Sequence, residues 1–380
     1  MGLPHQCRIS VQLLTAAVLL LLAAPGAKAD DGSDSEAIQD ALDRTRNGGT
    51  VHLNAREYRL TSPLRLQHDN ATLIGQGPEQ TILYADFEGD DIGVIEIHGQ
   101  LMRDTTPSNC VALHGDRRSS DDQLETDVAL AARHSGSSLA IRARNTEDFL
   151  QSIGSQVWNE EYPMIRQTLV IADAIDSKFI QLDRPLGLDV PDGARVCPID
   201  LVEDVILRDL TIVYDAGFQP DPTEYENTAP TNRVDGVSIQ GALRPRIENV
   251  TVYNAGRHPF NLDNVLDARL RAVSAFGAYN KGAGGNGYFR LARTYHSRID
   301  GLVARGLRHL AIQWSSYGNS LAGVDSDTDI NFHGGHVRNN QVIVDSLTIR
   351  PGHPWGEVFV TPDDADWAPP DGPGNVVVHR

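Results

Sequence analysis

Apolar residues recur at regular intervals in the C-terminal half of the chain, within short segments that look like strands. Aligning the segments GVSIQG, PFNLDN, YFRLAR, HLAIQW and DINFHG brings one apolar residue of each into a common column. Apolar and polar positions alternate in each segment, which is the pattern of a strand with one buried face. The column, with steps of 20 to 29 residues, contains Ile239, Leu262, Leu291, Ile312 and Phe332.

Two more apolar columns follow these segments. The first contains Leu207, Ile247, Leu270, Ile299, Leu321 and Val344. The second, three residues later, contains Leu210, Val250, Val273, Leu302, Val324 and Leu347. Between them we expect a tight turn, because most positions there are small or turn-forming: Asp209, Asn249, Ala272, Gly301, Gly323 and Ser346. A repeat of this length cannot bury its apolar face alone, so the repeats should stack as a solenoid. Three short strands per turn predict a parallel β-helix.

The N-terminal region extends this prediction. Residues 35–46 have the pattern of an amphipathic helix, which would cap the open end of the solenoid. From residue 37 to residue 83, the segments AIQDAL, GGTVHL, YRL, LRL, ATLIGQG and TIL resemble the cap and first coils of the pectin-lyase-like superfamily. The resemblance covers this opening and the coils from about residue 200 onward. It implies an all-β, right-handed parallel β-helix, a secreted carbohydrate-active protein, and a substrate cleft lined by the strands of the first column and the loops before them.

The sequence predicts five segments. Residues 1–29 read as a secretory signal with Arg8, an apolar run and a cleavage site after Ala29, which predicts a secreted or periplasmic protein. Residues 30–100 are expected to form the cap and first coils, and 198–361 the main coils. Residues 101–197 do not follow the repeat and are interpreted as an inserted β-rich segment or elaborated loops. Residues 362–380, rich in Asp and Pro, are expected to form a C-terminal strap.

Composition narrows the choice of partner. The net charge of −18 argues against nucleic acid and, after signal cleavage, against a membrane surface. An extracellular polysaccharide is the expected partner, and the oligomeric state stays open. Outside the signal, Cys110 and Cys197 can form one disulfide in an oxidising compartment, and nothing in their spacing indicates zinc.

Alternation also predicts which residues face outward, toward a cleft. Tyr288, His309 and Asp329 should lie on consecutive rungs about 4.8 Å apart. Candidate catalytic residues are Arg290, His309, Tyr288, Lys281, Asp329, Asp263 and His333. Candidate substrate-binding residues are Asn261, Asn331, Gln313, Arg257, His258, His336 and Trp314. An isolated polar residue on a solenoid is usually just solvated, so the hypothesis depends on their clustering.

The preferred hypothesis is a polysaccharide lyase that cleaves a uronate-containing glycan by β-elimination. This chemistry needs a group that neutralises the carboxylate, a base for the C5 proton and an acid for the leaving oxygen. Arg290, with Asn261 or Asn331, can neutralise the uronate carboxylate. The base can be His309, oriented by Asp329, or else Lys281. Tyr288 can be the acid. Pectate-lyase motifs such as RxPxxR are absent from the sequence, so pectate itself is not the expected substrate.

Three alternatives stay open at this point. A glycoside hydrolase of the same fold would use paired carboxylates, with Asp235, Asp263 and Asp329 as candidates. The NTD, DD and GHG motifs of polygalacturonases are missing, since the nearest sequence is HGGH at 333–336. A uronate epimerase would return the proton to C5, but a DPHD motif is missing too. A non-catalytic glycan-binding β-helix would bind polymer without consuming it.

A calcium site is the one cofactor that the sequence suggests. The run from Asp325 to Asp329 offers oxygen ligands of the type that Ca²⁺ prefers. An acidic turn on an acidic protein is the preferred interpretation, and no other metal is predicted.

Overall fold

A computed structural model describes the backbone of residues 20–21 and the residues 33–45, 48–104, 109–130, 135–155, 158, 165–227 and 233–380. The predicted signal, residues 1–29, lies outside this set except for the pair Leu20–Leu21, whose backbone pairs in parallel with Thr50–His52. Among the described residues, no helix has the length and apolar character needed to cross a membrane.

Strands of the described residues form three sheets, two of which are parallel and belong to the solenoid. Sheet I consists of Leu20–Leu21, Thr50–His52, Glu57–Leu60, Thr72–Ile74, Ile82–Ala85, Ile206–Tyr214, Arg246–Ala255, Arg269–Ala278, Arg298–Arg305, Ser320–Ser326, Gln341–Leu347 and Val376–His379. Sheet II consists of Leu64–Arg65, Asp90–His98, Val202–Glu203, Arg233–Leu243, Phe260–Leu266, Tyr288–Tyr295, His309–Gln313, Ile330–Phe332 and Val358–Val360. The predicted parallel β-helix is thereby confirmed.

The first apolar column has the register that the sequence predicted. Ile239 pairs with Leu262, Leu262 with Leu291, Leu291 with Ile312, and Ile312 with Phe332. All five side chains are buried in one continuous core. Because the strands are in register, the polar residues between these positions are stacked as well, on the opposite face of sheet II.

The other two columns are confirmed except at their last members. Leu321 pairs with Val342 and Val324 with Val344, so the predicted positions of Val344 and Leu347 are wrong. In the earlier coils two residues separate the columns, and the second of them has a positive φ, as at Gly301 (74°) and Gly323 (68°). The last coil has a single residue there, and the register shifts at this point.

The predicted capping helix spans Ser35–Arg44 and buries Ile38, Ala41 and Leu42 at the end of the core.

Within the predicted insertion, six antiparallel strands form sheet III with its own apolar core. A disulfide joins Cys110 and Cys197. The strands are Val111–Ala112, Gln123–Glu125, Ser138–Ala143, Arg166–Asp176, Phe179–Leu182 and Arg195–Pro198; a short helix, Glu147–Ser152, and a 3₁₀ turn, Met102–Asp104, complete the region. The boundaries of the five predicted segments stay predictions.

We expect Leu291→Ala to lower the free energy of unfolding by about 2–5 kcal/mol, because it leaves a cavity between two rungs of the core. Urea unfolding followed by circular dichroism would measure the change. Val378→Ala, at a position 40% exposed on the last strand, is the control and should cost much less. Equal losses in the two variants would contradict the role assigned to the column.

Candidate active site

A cleft of about 790 Å³ runs along the outer face of sheet II. Its floor consists of the polar residues that alternate with the apolar column, and its walls come from loops. Tyr288 and His309 lie on neighbouring rungs, as predicted, but the walls leave only 1% and 2% of these residues exposed. At the centre of the site the polar groups are therefore desolvated, and they must pair with one another.

His309 lies in a chain of three polar side chains. Its Nδ1 is 2.7 Å from Oδ1 of Asp329, and its Nε2 is 3.1 Å from the hydroxyl of Tyr225. With the proton on Nδ1, the imidazole donates to the carboxylate, and Nε2 is an acceptor that faces Tyr225. The indole of Trp355 donates to the same tyrosine hydroxyl. The carboxylate thus fixes the orientation of the imidazole and its tautomer.

Tyr288 and His333 form a second polar pair in the cleft. Nε2 of His333 lies 3.5 Å from the Tyr288 hydroxyl, and its Nδ1 lies 3.1 Å from Oδ1 of Asn331. The amide nitrogen of Asn331 donates to Oδ2 of Asp329 at 2.9 Å. Asn331 therefore positions both the His333 ring and the carboxylate that orients His309.

Arg290 places a positive charge at the floor of the cleft. It donates to Oδ1 of Asn261 at 2.7 Å and lies 3.4 Å from a carboxylate oxygen of Asp263. When the Gln313 amide oxygen faces the guanidinium, it accepts from Nε of Arg290 at 2.6 Å. Asp263 is also paired with Arg293 through Nε at 2.6 Å. Four separately predicted residues, Asn261, Asp263, Arg290 and Gln313, therefore form a connected network.

Arg257 and His258 line the cleft, but the guanidinium of Arg257 and Nδ1 of His258 are engaged with the protein. Arg257 makes a two-pronged contact with buried Asp235, at 2.8 and 2.9 Å, and a further contact with Asp91. Nδ1 of His258 accepts from the backbone N–H of Tyr288 at 3.1 Å. These contacts hold the strand that carries Tyr288, which favours a supporting role.

Three predicted residues, Asp329, Lys281 and His336, are not among those that line the cleft; Asp329 lies beneath it, bonded to His309. Lys281 is buried, and its Nζ donates to the backbone carbonyl of Asp221 at 2.6 Å. This position favours a structural role for Lys281 over that of a base that contacts substrate. His336 instead packs edge-on against Phe149 of the insertion. Trp314, which was predicted to bind substrate, does line the cleft.

Sequence reasoning missed two wall residues, Tyr225 and Trp367, because they come from segments outside the repeat. Tyr225 and Arg308 contact each other, with the guanidinium 5.0 Å from the ring centroid. Trp367, from the predicted C-terminal strap, stacks against His333 at 6.3 Å. A tryptophan in an otherwise polar strap could have pointed to Trp367 as a cleft residue. Nothing in the local sequence places Tyr225 beside His309.

Burial and neighbouring charges set the protonation of the central groups. Burial raises the pKa of Tyr288, so its hydroxyl keeps its proton. Burial also lowers the pKa of His309, against the opposing effect of Asp329, and lowers that of His333 to about 3. For Asp329, burial favours the neutral acid, but hydrogen bonds from His309 and His353 outweigh it and lower the pKa to about 2. Both histidines are thus neutral proton acceptors near pH 7.

The aspartates of the proposed calcium run have three different partners. Asp325 pairs with Arg305 at 2.6 Å, Asp327 lies 3.4 Å from Arg350, and Asp329 bonds to histidine. Calcium binding by this run stays a prediction. His309, Asp329 and His353 bring potential ligand atoms within 4.8 Å of one another, but both rings are already directed at one oxygen of Asp329.

The fold and the cleft together define a parallel β-helix protein with a buried, arginine-rich polar site on one sheet. The chain is similar to the tailspike protein gp61 of Pseudomonas phage phi297 (TM-score 0.52, 13% identity) and the tailspike protein gp49 of Pseudomonas phage LKA1 (TM-score 0.50, 12% identity). Each similarity covers 83% of this chain but only 52% and 57% of the respective tailspike. At this identity the likeness concerns the fold. No protein-family model and no curated protein matches the sequence.

We expect stability to fall as the pH drops from about 6.5 toward 3. Burial lowers the pKa of His296 to about 4 and those of His333 and His336 to about 3. Below pH 6.5 the unfolded chain binds protons that the folded chain does not, so each histidine favours unfolding. His336→Leu should make the melting temperature less sensitive to pH between 7 and 4. His379→Leu, at an exposed position, is the control; equal pH profiles for both variants would contradict this assignment.

Proposed function

We propose that this protein is a polysaccharide lyase that cleaves a uronate-containing glycan by β-elimination. The observation that carries the proposal is the convergence of the Tyr288 hydroxyl and the His309 and His333 imidazoles in one cleft whose floor carries Arg290. Their protonation states suit the reaction, since one group holds a proton and the others are ready to accept one.

The cleft favours an anionic sugar. Six arginines line it, in a protein of net charge −18, so the local charge is opposite to that of the whole molecule. A guanidinium binds a carboxylate through two parallel hydrogen bonds, and these strengthen where water is excluded. Charge neutralisation makes the C5 proton of a uronate more acidic. Arg290 fits this role, with Asn261 and Gln313 fixing its orientation. The six are Arg103, Arg233, Arg257, Arg290, Arg293 and Arg308.

His309 is the proposed base. Asp329 holds the proton of Nδ1, which leaves the lone pair of Nε2 to accept the C5 proton and stabilises the imidazolium that results. Nε2 now accepts from Tyr225, so substrate binding has to displace this hydrogen bond before the proton can move.

Tyr288 is the proposed acid. As the C5 proton leaves, the electron pair forms the C4–C5 double bond and the C4–O4 bond breaks. The leaving O4 then takes the proton of the tyrosine hydroxyl. His333, whose Nε2 lies 3.5 Å away, is placed to exchange protons with the resulting tyrosinate. An epimerase would share the first step, but Tyr288 would return its proton to C5 from the opposite face.

The carboxylates of the site give less support to a hydrolase. A glycoside hydrolase needs one carboxylic acid with a raised pKa. Burial acts in that direction on Asp263 and Asp91, yet the guanidinium groups of their arginine partners outweigh it and lower both pKa values. Asp235, another candidate, is buried and bonded to Arg257 and Asn261.

Incubation with a panel of uronate polymers and neutral glycans tests the reaction class. We expect ultraviolet absorbance from an unsaturated uronate to rise together with new reducing ends, on an anionic polymer only. New reducing ends without absorbance would favour the hydrolase. Binding without either product would favour a non-catalytic protein. Parallel assays with calcium and with EDTA would show whether a metal is needed.

Single substitutions test the assigned roles. Tyr288→Phe and His309→Gln should each lower kcat by roughly 100- to 10,000-fold, because each removes a proton-transfer group. Tyr84→Phe and His379→Gln change the same side chains at exposed positions and should retain activity. The far-ultraviolet spectra of all four variants should match that of the parent. Wild-type rates in either site variant, on a substrate that the parent cleaves, would overturn that role.

A further inference from the structure

We propose that a second surface of this protein, on sheet I and outside the cleft, binds polyanionic glycan. Its centre is a row of three arginines on consecutive rungs, Arg246, Arg269 and Arg298, called here the arginine ladder. The backbone register pairs Arg246 with Arg269 and Arg269 with Arg298. All three are exposed, and parallel strands place their Cα atoms about 4.8 Å apart.

The ladder lies along a groove of about 700 Å³. Arg271 is two residues along the strand from Arg269, so it projects from the same face. The register places it between Glu248 and Asp300, so the row beside the ladder is of mixed charge. Arg184 also lines the groove, where it binds both carboxylate oxygens of Asp267 at 2.7 Å. Arg184 belongs to the inserted region, and this contact ties that region to the coils beside the ladder.

Stacked like charges are unfavourable in a sheet unless something offsets them. Arg298 has a partner, Asp300, at 2.7 Å. In the described part of the chain, neither Arg246 nor Arg269 has an ion pair, and the same is true of Arg271. Elsewhere exposed arginines commonly have acidic partners, as Arg59 has Asp86 and Arg118 has Asp189. An acidic protein that leaves neighbouring arginines unpaired has the electrostatics of an anion-binding surface.

The spacing of the ladder indicates the ligand. A linear uronate or sulfated glycan carries about one anionic group per sugar, and a sugar ring is comparable in length to one rung. Such a chain lying across the strands would bring successive anions to successive arginines, where each guanidinium can form paired hydrogen bonds. The choice of uronate as probe rests on the proposed function; the ladder itself requires only a repeating anion.

The test is salt elution of the full-length protein from immobilised alginate and polygalacturonate, with immobilised dextran as a neutral matrix. We expect the triple variant Arg246→Gln, Arg269→Gln, Arg298→Gln to elute at lower salt, with affinity weakened roughly tenfold or more by the loss of three exposed charge contacts. The control Arg59→Gln, Arg118→Gln, Arg380→Gln removes the same charge from exposed sites outside the groove. It should elute close to the wild type.

Equal elution of the two triple variants, or failure of the wild type to bind either anionic matrix, would overturn the proposal. Turnover of short uronate oligosaccharides tests the binding surface separately from the proposed lyase activity of the cleft. An oligosaccharide that fills only the cleft should be cleaved at the parent rate by the ladder variant, while KM for the polymer rises. If the protein cleaves nothing but elution still depends on the ladder, the lyase proposal fails and the binding surface stands.

Discussion

The in-register stacking of parallel strands is the constraint on which the rest of this structure depends. Each coil contributes one apolar residue to each internal column, and it is buried only because its neighbours on the rungs above and below are apolar too. A slip of one residue would turn the column out to solvent and the polar residues into the core. The register that buries Leu262, Leu291 and Ile312 is therefore the register that aligns Tyr288 with His309.

Desolvation gives the cleft its chemistry. Loops cover the polar face of sheet II, so its side chains pair with one another instead of with water. The same covering raises the pKa of Tyr288 and lowers that of His333, leaving a proton donor and a proton acceptor side by side. Arginines that neutralise the aspartates of the cleft also give it a local charge opposite to that of the protein. On sheet I, stacking without such covering produces the exposed arginine ladder instead.

The accuracy of the sequence predictions followed the regularity of the repeat. The three columns were placed correctly in every coil before the last, and so were the rungs that bring His309 next to Asp329. The prediction failed in the last coil, because one residue fewer separates Val342 from Val344 and only the hydrogen-bond register reveals the shift. The sequence could not show that Lys281 lies outside the cleft lining, for a related reason. Lys281 belongs to a loop, and a loop has no periodicity that would show its side chain directed into the protein toward Asp221.

By itself, the sequence determined the solenoid, its capping helix, its internal columns and the set of polar residues on the floor of the cleft. Those features depend on local alternation and on a repeat length, both of which can be read along the chain. Only the tertiary structure decided which loops close over that floor, and so which groups lose water and which ion pairs form. Tyr225, Trp355 and Trp367 reach the site from segments far apart in sequence, because chain folding, rather than any repeat, brings them beside His309 and His333.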